Sequence, residues 1–305
     1  MDLSAVNPLP ENRAICFRSD EKGGPFDIEA ALAQQMLAAP TNPNGHPNSD
    51  VVRPYVNGMD VTRRPRNVWI IDFGVDASEE QAALYEMPFE YVRHVVKPFR
   101  DKVRTARERR DWWLHRRPAP DMRAAVSGLS RFVGTPRVAK HRLFVWFEGS
   151  TIPDTQIYIF ARYDDYFFGV LHSRAQELWA RRMGTWMGVG NDLRYTPKTC
   201  FETFPLPWPP GDEPEDDSRI EAIAEAARRL DELRRNWLNP EGASEAELKK
   251  RTLTNLYNAH PTWLENAHAR LDAAVFAAYG WPLDLSDEEI LQSLLALNLE
   301  RSKDQ

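Results

Sequence analysis

YIFARYDDYFFGVLHSRAQELWARRMGTWMGVGNDLRYTPKTCFETFPLPWPP, running from Tyr158 to Pro210, is the stretch whose reading decides the fold. Apolar and aromatic residues to Phe160 read as a strand. Asp164 and Asp165 then open an apolar helix, where carboxylates meet the positive end of the helix dipole. The segment Gly184 to Tyr195, GTWMGVGNDLRY, reads as a Gly-punctuated loop that ends in a second strand, and a Pro-rich stop follows. This order belongs to a module that holds a loop out rigidly, and it contains no catalytic constellation.

Downstream, PLPWPPGDEPEDDS (Pro205 to Ser218) is the one clear break in composition, and it places a domain boundary at about residue 210. Beyond it, Ser218/Glu221, Ser244/Glu247 and Ser286/Glu289 have the Ser-x-x-Glu spacing of a capping box and predict three helix starts. A fourth helix runs from about Thr262 to Tyr279 and stops at Gly280. Ile220, Ile223, Ala227, Leu230, Leu233 and Trp237 give the first of these helices a narrow apolar seam. Residues 211–305 are therefore expected to form an all-α helical bundle.

Upstream, residues 1–66 read as a lead-in with one helix from Asp27 to Ala39, capped by Asp27. Asn67 to Gly74, NVWIIDFG, reads as a buried strand. Ser78 with Gln81 forms a capping box, and Pro88 predicts a break or kink. Glu90 to Leu114 reads as one helix, with Val92, Val95, Val96, Phe99, Val103 and Ala106 on its apolar side and basic residues on the other. Leu143 to Phe147 reads as a strand, with Arg137, Lys140 and Arg142 where the chain enters the sheet. The expected fold class is α+β: a mixed sheet and helix domain over 1–210, then the helical bundle.

The 305 residues are 42% hydrophobic, enough for a real core, and the net charge is −6. That average conceals an asymmetry: from Tyr91 to Arg142 there are 15 Lys/Arg against 4 Asp/Glu. A basic block in an acidic chain suggests a directed contact with a polyanion. The two cysteines, Cys16 and Cys200, show neither disulfide nor zinc spacing, and a reducing cytoplasm fits them best. Neither a signal segment nor a membrane span is legible.

Two groups of residues could meet nucleic acid. Arg100, Lys102, Arg104, Arg107, Arg109, Arg110 and Lys140 are candidates for phosphate contacts, since Lys and Arg that displace counterions supply sequence-independent affinity. The competing reading is a solvated helix face with Arg104/Glu108 and Arg107/Asp111 pairs. Arg137, Asn191, Asp192 and Arg194 are candidates for base reading: Arg suits guanine, Asn adenine, and Asp the amino group of cytosine. A Gly-rich turn with polar tips is the bland alternative. No catalytic or metal site is expected. The seven histidines lack ligand spacing, no GxSxG elbow occurs, and no GK[ST] follows the glycines.

The strings RPYVNGMDVTRRPRNVWIIDFG, RDKVRTARERRDWWLHRRP, TPRVAKHRLFVWF, YFFGVLHSRAQELWARRMGTWMGVGNDLRYTPKTCFETFPLPWP and AHPTWLENAHARLDAAVFAAYGWPLDLSDEEILQSLLALNLER resemble the C-terminal half of type IIL restriction-modification adenine-specific DNA methyltransferases. The likeness covers nearly the whole chain. It implies a target recognition domain followed by a C-terminal helical domain, downstream of a methyltransferase domain that uses S-adenosylmethionine. The order also resembles target recognition domains of type I specificity subunits, with their spacer helix.

The chain departs from that family in lacking the Asn/Asp-Pro-Pro-aromatic motif and the Gly-containing cofactor loop. Its nearest string is Asn7-Pro8-Leu9-Pro10. The expectation is a double-stranded DNA recognition module without its own chemistry, with S-adenosylmethionine held on a missing or partner methyltransferase domain or subunit. Two rivals stand beside it: a helical scaffold that docks a modification partner, and an unusual but complete S-adenosylmethionine-dependent methyltransferase.

Overall fold

A computed structural model describes residues 5–189 and 192–303. In chain order its strands are β1 (Cys16–Arg18), β2 (Asp27–Ile28), β3 (Val52–Val56), β4 (Val68–Ile71), β5 (Arg131–Pro136), β6 (Val138–Ala139), β7 (Val145–Glu148), β8 (Ile152–Pro153), β9 (Ile157–Phe160), β10 (Thr185–Met187) and β11 (Asp192–Arg194). They form three sheets. One is antiparallel in the order β1-β9-β5-β7; a second has the order β2-β4-β3-β8, with β8 parallel to β3; the third is β10-β11-β6. With the helices that surround them, these sheets give an α+β fold.

Local signals account for most α-helix starts among the described residues. Asp164 accepts from the Phe167 amide at 2.8 Å and caps the Asp165–His172 helix. Ser78, Ser244 and Ser286 each close a reciprocal capping box. At the long Ser218–Leu238 helix the cap is Asp217, one residue earlier than expected, because its carboxylate takes the Arg219 amide. The first helix runs from Ala30 to Leu37, and Asp27, expected as its cap, pairs instead in β2 with Ile70.

The helix expected over Glu90 to Leu114 is broken. Glu86–Tyr91 is α-helical with Pro88 in its first turn, Val92–Val96 widens to a π turn, and Lys97–Arg100 closes the segment. Pro98 explains the widening, because its ring has no N–H and crowds the carbonyl four residues back. The extra residue splits the expected apolar stripe. Val92 and Val96 are buried, whereas Val95 and Phe99 are exposed at 39% and 48%.

Among the described residues two hydrophobic cores result. The smaller packs Phe26, Ile28, Ile70, Ile71, Phe89, Val92, Val96 and Trp112 around the β2-β4-β3-β8 sheet. The larger joins Phe132, Phe160, Phe167, Phe168 and Phe201 to Ile223, Leu230, Leu271 and Leu294 of the C-terminal helices. Gly169 permits that junction: a Cβ there would lie 2.7 Å from Ile223 Cγ2 and 3.1 Å from Ala227 Cβ. No helix among the described residues is long and apolar enough to cross a membrane.

Candidate nucleic-acid interface

The segment from Gly184 to Tyr195, expected to be a Gly-punctuated loop that ends in a strand, is largely an antiparallel hairpin. Thr185 pairs with Arg194, Trp186 with Leu193, and Met187 with Asp192. The hairpin springs directly from the Arg174–Met183 helix, because Gly184 fits where a Cβ would meet Leu193 Cδ1 at 2.6 Å and Ala180 O at 2.8 Å. β6 completes the sheet, with Leu193 opposite Ala139 and Arg194 opposite Val138. The Tyr195 amide donates to Arg137 O at 2.8 Å and extends the pairing by one residue.

Successive strand residues face opposite sides, and residues directly opposite share a face. Leu193 and Ala139 are buried. The other face therefore carries Thr185, Arg194 and Val138 in one row and Met187 with Asp192 in the next. Arg194, Thr185, Val138 and Met187 are exposed, and Asp192 is half-buried. Among the described residues no hydrogen bond or ion pair engages the Arg194 guanidinium.

The base-reading candidates thus separate. Arg194 and Asp192 share the open face, while Asn191 lies outside the described residues. Arg137 is drawn aside: its guanidinium sits 5.6 Å from the Tyr158 ring and donates to Thr155 O at 3.3 Å. Val138, which no reading of the sequence singled out, takes the outward place. Only the period-2 rule applied to an identified β6 would have found it.

The basic block also divides. Arg100 was expected at a phosphate, and the structure corrects this. Its side chain is fully enclosed, bonded to Glu108 at 2.8 Å, to Leu114 O at 2.8 Å and to Lys22 O at 2.9 Å. Burial lowers its pKa from the usual value, and the nearby Glu108 charge opposes that shift. Burial would raise the Glu108 carboxyl, but hydrogen bonds from Arg116 and Thr105 and the Arg116 and Arg100 charges hold it below the ordinary range. The expected Arg104/Glu108 surface pair is therefore absent, since Glu108 points inward.

Arg109 donates to the carbonyls of Val103 and Arg104 at 2.7 and 2.9 Å and closes its own turn. Arg110 is bidentate on Asp111, and Arg107 lies 3.9 Å from the same carboxylate. Lys140 is exposed and donates to Asn258 Oδ1 at 2.6 Å. Lys102 and Arg104 are exposed, with no side-chain partner among the described residues.

One charged cluster escaped the sequence reading. His115 Nδ1 lies 2.8 Å from Asp20, and Arg123 bridges Asp20 at 2.9 Å and Asp72 at 2.6 Å. His115 Nε2 is 3.0 Å from Ile71 O, so the ring is held between that carbonyl and the Asp20 carboxylate. Burial would lower the His115 pKa, yet Asp20 and Asp72 raise it overall. The cluster ties three distant segments together. No group of three or more His, Cys, Asp or Glu among the described residues could hold a metal ion.

The string nearest to a methyltransferase motif serves the fold as well. The Asn7 amide donates to Asn298 Oδ1 at 3.1 Å, Asn298 returns a bond to Asn7 O at 2.8 Å, and Leu9 is fully buried. The Asn7 side chain is turned to Ala5 O and Ser302 Oγ. This arrangement does not fit the grip on a flipped adenine's amino group, and no step of methyl transfer is assigned to it.

No protein-family model matches the chain. Over 155 residues, half of its length, it is 31% identical to DNA methyltransferase A of Bacillus subtilis (strain 168), and the match covers 15% of that protein. Its fold is similar to that of the type IIL restriction-modification enzyme MmeI, solved in complex with DNA. The TM-score is 0.70 at 17% identity, and the match covers 98% of this chain and 37% of the MmeI chain. The chain thus spans well under half the length of either protein. The resemblance legible in the sequence is borne out in the fold.

Proposed function

We propose that this chain is the DNA-reading part of a restriction-modification-type adenine methyltransferase. It binds duplex DNA, reads a short sequence, and presents the target adenine to a methyltransferase domain outside residues 1–305. The observation that carries this reading is the open face of the β10-β11-β6 sheet. There no described residue engages the Arg194 guanidinium, and Asp192 stands one row away. A cation and a carboxylate so close together suit the donors and acceptors of base edges better than a uniformly negative backbone. Lys102 and Arg104 supply the backbone contacts. Residues 1–210 carry these elements, and residues 211–305 brace them through the shared core.

S-adenosylmethionine belongs on the separate domain, where the adenine is flipped and methylated. The likeness to MmeI and to DNA methyltransferase A supports this division of labour.

Fluorescence anisotropy of the full chain with a mixed-sequence duplex at two salt concentrations tests the reading. Affinity that falls steeply with salt is expected. A chain without salt-sensitive affinity would be a docking scaffold instead. Turnover with labelled S-adenosylmethionine by the chain alone would return the chemistry to it.

A further inference from the structure

We propose that Val138 and Met187 are specificity-determining residues that read the C5-methyl group of a pyrimidine in the DNA major groove, beside a guanine read by Arg194. The inference rests on the DNA-reading function and goes beyond it in naming the chemical group recognised.

The argument begins with the sheet register. Val138 and Thr185 flank Arg194 on its two sides, and Met187 lies opposite Asp192 in the adjoining row. All five residues share the face turned away from Leu193 and Ala139. On that face Val138 is 38% exposed and Met187 44% exposed, so two apolar side chains stand uncovered among one cation and one carboxylate. Such a mixture is unsuited to phosphate, which Asp192 repels and to which Val138 and Met187 offer nothing. It matches the major groove, which displays donors, acceptors and a single kind of apolar group, the C5-methyl of thymine or of 5-methylcytosine.

Dimensions agree. Neighbouring strands about 4.8 Å apart, β11 with either β6 or β10, match the two-stranded ribbon that the ~12 Å groove admits. The outward side chains of Arg194 and Val138 are one strand spacing apart, about 4.8 Å, against a rise of ~3.4 Å per base. The methyl read by Val138 therefore falls one or two base steps from the guanine. Met187 is diagonal to Arg194, about 7 Å away, and reaches a further position on the opposite side.

The experiment selects bound duplexes from a randomised pool with the full wild-type chain and with Val138→Ser, Met187→Ser and Arg194→Ala. The wild type should recover a motif with a thymine within two steps of a guanine. Val138→Ser should lose the preference for that thymine and keep the guanine, and Arg194→Ala should do the reverse. Met187→Ser should relax a second thymine. Unchanged thermal melting will show that the serine variants remain folded.

Synthetic duplexes then isolate the methyl group. Thymine→uracil at the selected position should weaken wild-type binding about fourfold, the worth of one buried CH₂ group, and leave Val138→Ser unaffected. Methylcytosine at the same position, compared with cytosine, shows whether the methyl is read on either base or in thymine alone. A sharp motif that survives Val138→Ser and Met187→Ser intact, with uracil neutral at every thymine, would overturn the inference and leave the DNA-reading function standing. Failure to recover any motif would instead remove that function, and this inference with it.

Discussion

The guanidinium of Arg100 lies 2.8 Å from the Glu108 carboxylate, and both side chains are enclosed. Removing Arg100 leaves Glu108 with Arg116 as its remaining guanidinium partner, at 3.1 Å, and strips the buried Leu114 carbonyl of its donor, at about 1 to 3 kcal/mol for each buried group left unsatisfied. Arg100→Ala should therefore lower the urea midpoint strongly. Whatever folded protein remains should bind DNA with the wild-type salt slope. A variant that is as stable as wild type but defective in binding would restore Arg100 to the interface.

Arg104 and Arg194 separate positioning from reading. Both are exposed, so neither Ala substitution should shift stability by more than about 0.5 kcal/mol. Arg104→Ala should weaken binding to every duplex and reduce the salt slope by about one unit. Arg194→Ala should relax one base position, at a cost of about 1 to 3 kcal/mol on the preferred sequence. Anisotropy on preferred and scrambled duplexes at two salt concentrations distinguishes them. Equal losses on all duplexes for both variants would remove the division of labour.

What the sequence made legible is what lies within four residues of its cause. Asp164, Ser244/Glu247 and Ser286/Glu289 cap helices because a side chain reaches a backbone amide two or three positions on. The strand reading around Ile70 and Ile71 holds for the same reason: β-branched runs between turn formers are local signals. Arg100 was misplaced because its partners include Lys22 O, supplied by a distant segment. Val138 was missed because its face is set by pairing with β11, far along the chain. The block's charge count was correct, but charge alone does not say which arginines are already engaged.

Gly169 offers a test of the joint between the sheet-bearing and helical parts. In a helix interior, Gly→Ala ordinarily stabilises by about 1 kcal/mol. Here the new Cβ would lie 2.7 Å from Ile223 Cγ2, with Ala227 and Leu271 both at 3.1 Å, and three packed neighbours cannot all move aside. Overpacking of this kind costs about 1 to 3 kcal/mol and should outweigh the propensity gain. Gly169→Ala should lower the melting temperature, and in an Ile223→Ala background, where Cγ2 is gone, it should lower it less. A stabilised Gly169→Ala would mean that the Asp165–His172 and Ser218–Leu238 helices adjust freely.

Acid should loosen the same joint through its histidines. Burial, then the Arg234 charge, lowers His268 to about 4, and burial with Arg234 also holds His172 well below its ordinary value. Both pKa values are depressed relative to the unfolded ~6.5, so between about pH 4 and 6.5 the unfolded chain binds more protons and stability rises with pH. Asp272 opposes this: burial raises its carboxyl to about 6, so below that pH the folded state holds its proton more tightly. His115, whose pKa is raised, also opposes it near pH 6.5, but below about pH 5.5 it is protonated in both states, and there two histidines against one carboxyl leave a net loss of stability as pH falls. His268→Gln can still accept from Tyr257 through its side-chain carbonyl but cannot titrate, and it should reduce the slope by up to one proton, about 1.4 kcal/mol per pH unit. Urea midpoints at intervals from pH 4 to 7 measure both slopes, and identical slopes for wild type and variant would show that His268 titrates alike folded and unfolded.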